Sequence, residues 1–305
     1  MYRIVTRQSK LALRQTQMVV DAITRVWPDF SYQILPMKTM MDDTEIPISL
    51  NGGKVSFVKE LEEAVLSGFA DLAVHSLKDM ACKLQDGLVI PAFLPRIEPR
   101  DALLTEEFSG LSSLPQGAIV GTSSLRRASQ LLSIRPDLQV VPCRGNVDTR
   151  IQKLKRGDFS ALVLAGAGLE RLNLSHLVGE YLSTDQILPA CGQGVIALEC
   201  RRSDAILLEK LALIHDHSTG RSCYAERKVV EILGGHCQLP LGVFAKEIEG
   251  KLLVRVCLGH VDGTQMVYES CYLDKNSMER DNVVLEAMCQ RLLESGGAEI
   301  LHAYT

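Results

Sequence analysis

Apolar and polar positions alternate along the first third of the chain in a way that predicts strands and helices in turn. Tyr2 to Thr6 reads as a short strand, and behind Ser9, a candidate N-cap, Leu11, Met18, Val19, Ala22, Ile23 and Val26 recur at helical spacing until Pro28. Ser31 to Met37 returns to a strand pattern. Phe57 to Leu66 is helical with Gly68 as its stop, and Asp71 to Val74 is an apolar strand running into HSLKD. After the proline-punctuated stretch Pro91 to Pro99 the same rhythm returns: strand 118–121, helix 123–134, strand 138–142, helix 147–156, strand 160–165. Past LPACGQG the pattern changes to a helix at 219–233, strand-like runs at 240–246, 251–259 and 266–273, and a helix from Ser277 to about Ser295. Two α/β units followed by an α+β segment are the expectation. Loops at the carboxyl ends of parallel strands, lining a cleft between the two units, are where functional residues should gather.

Composition narrows the class. At 305 residues with 46% apolar and 23% charged side chains, the chain is long enough for two or three folded domains and too apolar to be disordered. A net charge of −4 gives no general attraction to nucleic acid or to an anionic membrane. No run of eighteen apolar residues occurs, and MYRIVTRQSKLAL lacks the apolar centre of a signal peptide, so a soluble cytoplasmic protein is expected. Nine cysteines, an odd number without a CxxC pair, read as reduced thiols, most of them buried.

Basic residues collect where strands give way to helices: Arg7, Lys54, Lys59, Lys78, Arg126, Arg127, Arg144, Arg150 and Arg171. A charge run is ordinarily a solvated face, but gathered at strand ends these side chains suit a ligand with several carboxylates or phosphates. GTSSLRR is the clearest case, because a Gly-to-Ser turn opens a helix whose free N–H groups and dipole favour an anion. GGK at 52–54 is no phosphate loop, since Val55 follows where Ser or Thr is needed, and GAGLERL lacks the third glycine of a dinucleotide fingerprint. His215 and His217 stand two apart with no third ligand, so no metal site is expected. Asp79, beside Lys78 and His75, is either a salt-bridged surface acid or a carboxylate poised to act as acid, base or counter-ion. Cys237, in GGHCQLP, is either a buried structural thiol or an exposed nucleophile or attachment point.

Taken together, VTRQSKLAL, GGKVSFVKELE, DLAVHSLKD, EPRDALL, GTSSLRRASQL, RGNVDTR, LAGAGLERL, LPACGQGVIALECR and GGHCQLPLG resemble, in order and over nearly the whole chain, the porphobilinogen deaminase (hydroxymethylbilane synthase) family. The resemblance implies a transferase of haem and tetrapyrrole biosynthesis that joins four porphobilinogen molecules head to tail, releasing ammonia. It implies two α/β domains like those of type II periplasmic binding proteins, 1–96 with 196–214 and 97–195, and a smaller α+β domain, 215–305. The implied cofactor is a dipyrromethane held by thioether to Cys237, with Lys78, Ser124, Arg126, Arg127 and Arg144 around it. Arg7, Ser9, Lys54, Arg150 and Arg171 would bind the substrate's acetate and propionate groups. Asp79 would be the catalytic carboxylate, steadying the cation left when ammonia departs. A monomer without nucleic-acid or membrane partners is implied as well.

The chain departs from the family pattern at Thr39–Asp42, where TRGD is usual and Met40 and Met41 stand instead, and at Val55, Ala81 and His236. The alternative is a non-catalytic anion-binding paralogue of the same fold, favoured by the altered loop and opposed by the retention of Asp79 and Cys237. A regulator with a helix-turn-helix segment is excluded from the start of the chain by an α/β pattern that begins at residue 2.

Overall fold

The computed structural model describes residues 1–39, 58–235, 239–274 and 277–304. The chain forms two compact units, Met1–Ile97 with Gly194–Arg221, and Glu98–Gln193 with Ser222–Thr305. In chain order the first pass contains β1 (Tyr2–Arg7), α1 (Lys10–Val26), β2 (Tyr32–Met37), α2 (Lys59–Leu66), β3 (Leu72–Ser76) and β4 (Leu88–Phe93). Then come β5 (Asp101–Leu104), β6 (Ile119–Gly121), α3 (Leu125–Ile134), β7 (Gln139–Val141), α4 (Val147–Lys155), β8 (Ala161–Ala165), α5 (Gly166–Arg171) and β9 (Val178–Leu182). The remainder is β10 (Ile196–Arg201), α6 (Ala205–Ala212), α7 (His217–Ile232), β11 (Leu241–Ile248), β12 (Lys251–Gly259), β13 (Met266–Leu273), α8 (Met278–Leu292) and α9 (Ala298–His302).

In the first unit the sheet order is β2-β1-β3-β10-β4, with β1, β2 and β3 parallel and β10 antiparallel to both of its neighbours. Alternation along each strand sends Ile4, Leu72, Val74, Ile196 and Leu198 to one face, where they pack with Val19, Val20 and Ile23 of α1 and Leu207 and Leu211 of α6. Val5, Ala73 and Leu88 face the other way, against Leu61, Ala64 and Val65 of α2. Gly68 ends α2 with φ +76°, the left-handed conformation in which a side chain would be strained.

The second unit repeats the arrangement: β7-β6-β8-β5-β9, with β6, β7 and β8 parallel and β5 antiparallel to its neighbours. Leu103, Val120, Val163 and Leu182 pack with Leu131 of α3, while Ala102, Leu104, Leu162 and Leu164 pack with Ile151 and Leu154 of α4 and Leu169 of α5. The three-stranded sheet β11-β12-β13 lies against the far side of α3 and carries α8 on β13. Helix α3 is thereby covered on both sides, and every residue from Arg126 to Leu131 is buried. Among the described residues no helix is long and apolar enough to cross a membrane.

Candidate active site

In the first unit β1 and β3 run parallel with Val5 opposite Ala73, so their carboxyl ends deliver Arg7 and Ser9 beside the HSLKD turn. Ser9 caps α1, its Oγ accepting from the Ala12 N–H at 3.2 Å. Three side chains of HSLKD have settled positions before Lys78 and Asp79 are reached. His75 is buried, with Nε2 3.0 Å from Glu199 Oε2 on β10. Ser76 Oγ receives Gln15 Nε2 of α1 at 2.8 Å, Leu77 is in the core, and Lys78 begins to emerge. Asp79 closes the 3-10 turn Leu77–Asp79, half-buried like Lys78, at the end of an otherwise buried strand. Below the turn, Gln85 Nε2 donates to Glu62 Oε2 at 2.6 Å. Burial, and then the charge of nearby Glu199, push the Glu62 pKa up.

In the second unit three adjacent parallel strands carry polar and basic residues past their carboxyl ends: Ser124, Arg126 and Arg127 after β6, Arg144 after β7, and Arg171 on α5 after β8. Ser124 caps α3 by accepting from Arg127 N–H at 3.4 Å. The neighbouring Ser123 Oγ is buried with no hydrogen-bond partner among the described residues. Arg126 and Arg127 do not lie open to solvent; they converge on one acid, Asp101, itself wholly buried. Arg126 Nη1 donates to Asp101 Oδ2 at 2.7 Å, and Arg127 donates to Oδ1 through Nε at 3.0 Å and Nη2 at 2.8 Å. Burial alone would raise the Asp101 pKa, but the two guanidiniums, Arg126 first, hold it far below the usual carboxylate range. Arg171 is nine-tenths covered, and burial pulls its pKa down to about 10. Arg150, on α4, directs Nε to the Gly145 carbonyl at 2.6 Å and so braces the RGN loop that carries Arg144.

The segment joining β9 to β10 ties this cluster to the third sheet. The Leu188 carbonyl accepts from Arg126 Nη1 at 2.7 Å and from Gln130 Nε2 at 3.1 Å, and Gln193 Nε2 reaches Asp101 Oδ1 at 3.0 Å. The Gly192 N–H donates to Glu226 Oε2 of α7 at 2.7 Å from a left-handed backbone, φ +69°, while Ala245 N–H of β11 donates to Glu226 Oε1 at 2.8 Å. Asp101, Glu199 and Glu226 were not among the residues singled out from sequence. For Asp101 and Glu199 the only signal was an acid in an otherwise apolar strand, at its head in DALL and inside it in IALE.

Lys54 and Cys237 lie outside the described residues, as do Met40, Met41, Asp42, Val55 and His236. Among the described thiols, burial pushes Cys200, Cys257 and Cys289 up to about 12 and Cys271 to about 11, which makes them poor nucleophiles. His215 Nδ1 accepts from Phe93 N–H at 3.1 Å, and the His215 and His217 rings meet edge to face at 4.9 Å. Among the described residues no group of three or more His, Cys, Asp or Glu is placed to hold a metal ion.

The family described as porphobilinogen deaminase, dipyromethane cofactor binding domain, matches residues 2–209, and the one described as porphobilinogen deaminase, C-terminal domain, matches 221–289. The porphobilinogen deaminase of Exiguobacterium sibiricum is 43% identical over 300 residues, covering 97% of this chain and 96% of that protein. That of Syntrophotalea carbinolica is 45% identical over 269 residues, covering 88% and 85%. Among solved structures, a periplasmic substrate-binding protein of an ABC transporter from Coxiella burnetii is similar with a TM-score of 0.45 and 14% identity, covering 72% of this chain and 94% of that one. The family profiles, and relatives above 40% identity along almost the full length, show that the chain belongs to the porphobilinogen deaminase family.

Proposed function

We propose that the chain joins four porphobilinogen molecules head to tail on a covalent dipyrromethane, with Asp79 as the catalytic carboxylate and Cys237 as the attachment point. The observation that carries this reading is the family correspondence over residues 2–209 and 221–289, which includes both the HSLKD turn and the cysteine loop.

The described donors suit such a cofactor. Two pyrrole units built from porphobilinogen carry four carboxylates. The second unit offers Arg126, Arg127 and Arg144 at neighbouring strand ends, a buried hydroxyl on Ser123 without a partner among the described residues, and the N-terminus of α3. Lys78, Ser124, Arg126, Arg127 and Arg144 would hold its acetate and propionate groups. When bound, the dipyrromethane supplies the nucleophilic carbon onto which incoming rings are added.

The protein's part is binding and charge. Arg7, Ser9, Lys54, Arg150 and Arg171 would receive the carboxylates of incoming porphobilinogen. The Asp79 carboxylate, fixed by a turn whose preceding residues are anchored, would face positive charge as ammonia leaves the substrate. A fixed anion needs no reorganisation at that moment, and in a half-buried setting it is weakly screened. Three separate sheets support the division into domains 1–96 with 196–214, 97–195 and 215–305. Action in the cytoplasm as a monomer completes the reading.

Intact-protein mass spectrometry with peptide mapping tests it. A mass increase equal to two condensed pyrrole units on the Cys237 peptide is expected, and Asp79→Ala should retain that mass while losing turnover by about 100-fold or more. An unmodified Cys237 after incubation with porphobilinogen, or near-normal turnover in Asp79→Ala, overturns it.

A further inference from the structure

Asp101 touches three side chains of the second unit, and all three belong to segments that frame the proposed cofactor contacts. Two are the guanidiniums of Arg126 and Arg127, which bring two positive charges onto consecutive residues of a helical stretch that is buried throughout, Arg126 to Leu131. Side by side and buried, such charges repel, and without a counter-ion their side chains would turn away from one another or draw in water. The third is Gln193, whose Nε2 also donates to the Pro99 carbonyl at 2.8 Å. Three donors converge on Oδ1, Arg126 alone takes Oδ2, and no side of the carboxylate is left to solvent.

One carboxylate against two guanidiniums leaves a surplus of positive charge. It also fixes each fork: Arg126 between Asp101 and the Leu188 carbonyl, Arg127 between Asp101 and the Val163 carbonyl at 3.1 Å. We propose that Asp101 is a positioning residue, which sets the two arginines in place before the dipyrromethane arrives and leaves them with a net attraction for its carboxylates. Two opposing effects of Asp101 can be separated by sign. As a negative charge near an anion site it weakens anion binding, and as an anchor it strengthens binding by holding the donors in register. The network of four hydrogen bonds, each 3.0 Å or shorter, argues that anchoring is the larger effect.

The inference rests on the reading of Arg126 and Arg127 as cofactor ligands, and the experiment separates the two. The full-length apo chain is titrated with preformed linear tetrapyrrole, and covalent loading is read by intact mass for wild type, Asp101→Asn, Asp101→Glu and Arg126→Gln, with circular dichroism as a check of folding. Asp101→Asn should need roughly tenfold more tetrapyrrole for half-loading, and Asp101→Glu, which keeps the charge but moves it by one methylene, should fall between it and wild type. Should Asp101→Asn fail to fold, the shift in Asp101→Glu decides alone. Loading of a folded Asp101 variant at or below the wild-type concentration, beside impaired loading in Arg126→Gln, overturns the positioning role only. Normal loading in Arg126→Gln overturns the cofactor reading of the arginine pair, and the inference with it.

Discussion

Each α/β unit buries one carboxylate on the strand that runs antiparallel through its sheet, and the two are balanced in different ways. On β10 Glu199 meets a single histidine, His75, with a second acid, Glu62, close enough to feel its charge. On β5 Asp101 meets two arginines. The strand orders are equivalent, yet beside the first strand's acid stand one imidazole and a second carboxylate, while beside the second strand's acid stand two guanidiniums. An arginine keeps its charge at any ordinary pH, so the second arrangement sets two permanent cations around one acid. The shared topology supplies strand ends; the choice of buried partner decides what charge those ends offer.

Removing each carboxylate should expose the difference most strongly. Asp101→Ala removes the carboxylate that two buried guanidiniums share and should cost about 3–5 kcal/mol. Glu199→Gln keeps a polar partner for His75 and should cost about 1–3 kcal/mol. Urea unfolding at pH 7 measures both, and equal losses would break the comparison. The pH dependence follows with a smaller effect. A glutamate whose pKa is raised by folding binds its proton more tightly in the native state, so its stabilisation is present at acid pH and is lost as pH rises through the folded value. Asp101 has the opposite sign, its contribution being present above the ordinary aspartate range and lost only in strong acid. Glu62→Gln should therefore raise the urea midpoint at pH 7 and leave it unchanged near pH 4; a lower midpoint at pH 7 would show that the charged form is the favoured one. The smallest effect concerns what the units share. Ser9 and Ser124 cap α1 and α3 in the same manner, and Ser9→Ala and Ser124→Ala should each cost about 1 kcal/mol in the same assay.

The local features were the legible ones. Ser9 as a cap, a helix following the GTSS turn, and strands at 251–259 and 266–273 all follow from residues adjacent in sequence, and the structure has them. The strands β4, β5, β9 and β10 carried no clear period and went unmarked, though β10 joins β3 to β4 in the first sheet. What Arg126 and Arg127 face was illegible for a related reason. Their partner Asp101 is 25 and 26 residues away, and Glu199 is 124 residues from His75, so both pairs exist only once the antiparallel strand has been inserted. Taking the arginines as a solvated face would make α3 a surface helix. The third sheet covers it instead.

That covering bears on how the segment can vary. Along α1, exposed positions such as Lys10, Leu13, Arg14, Arg25 and Val26 can drift under little constraint. From Arg126 to Leu131 there is no such position, because one side of α3 fills the core of its own sheet and the other side fills the space under β11 to β13. A stretch buried on both sides has no neutral sites, so changes in the third layer must be accommodated by the segment that carries the arginine pair.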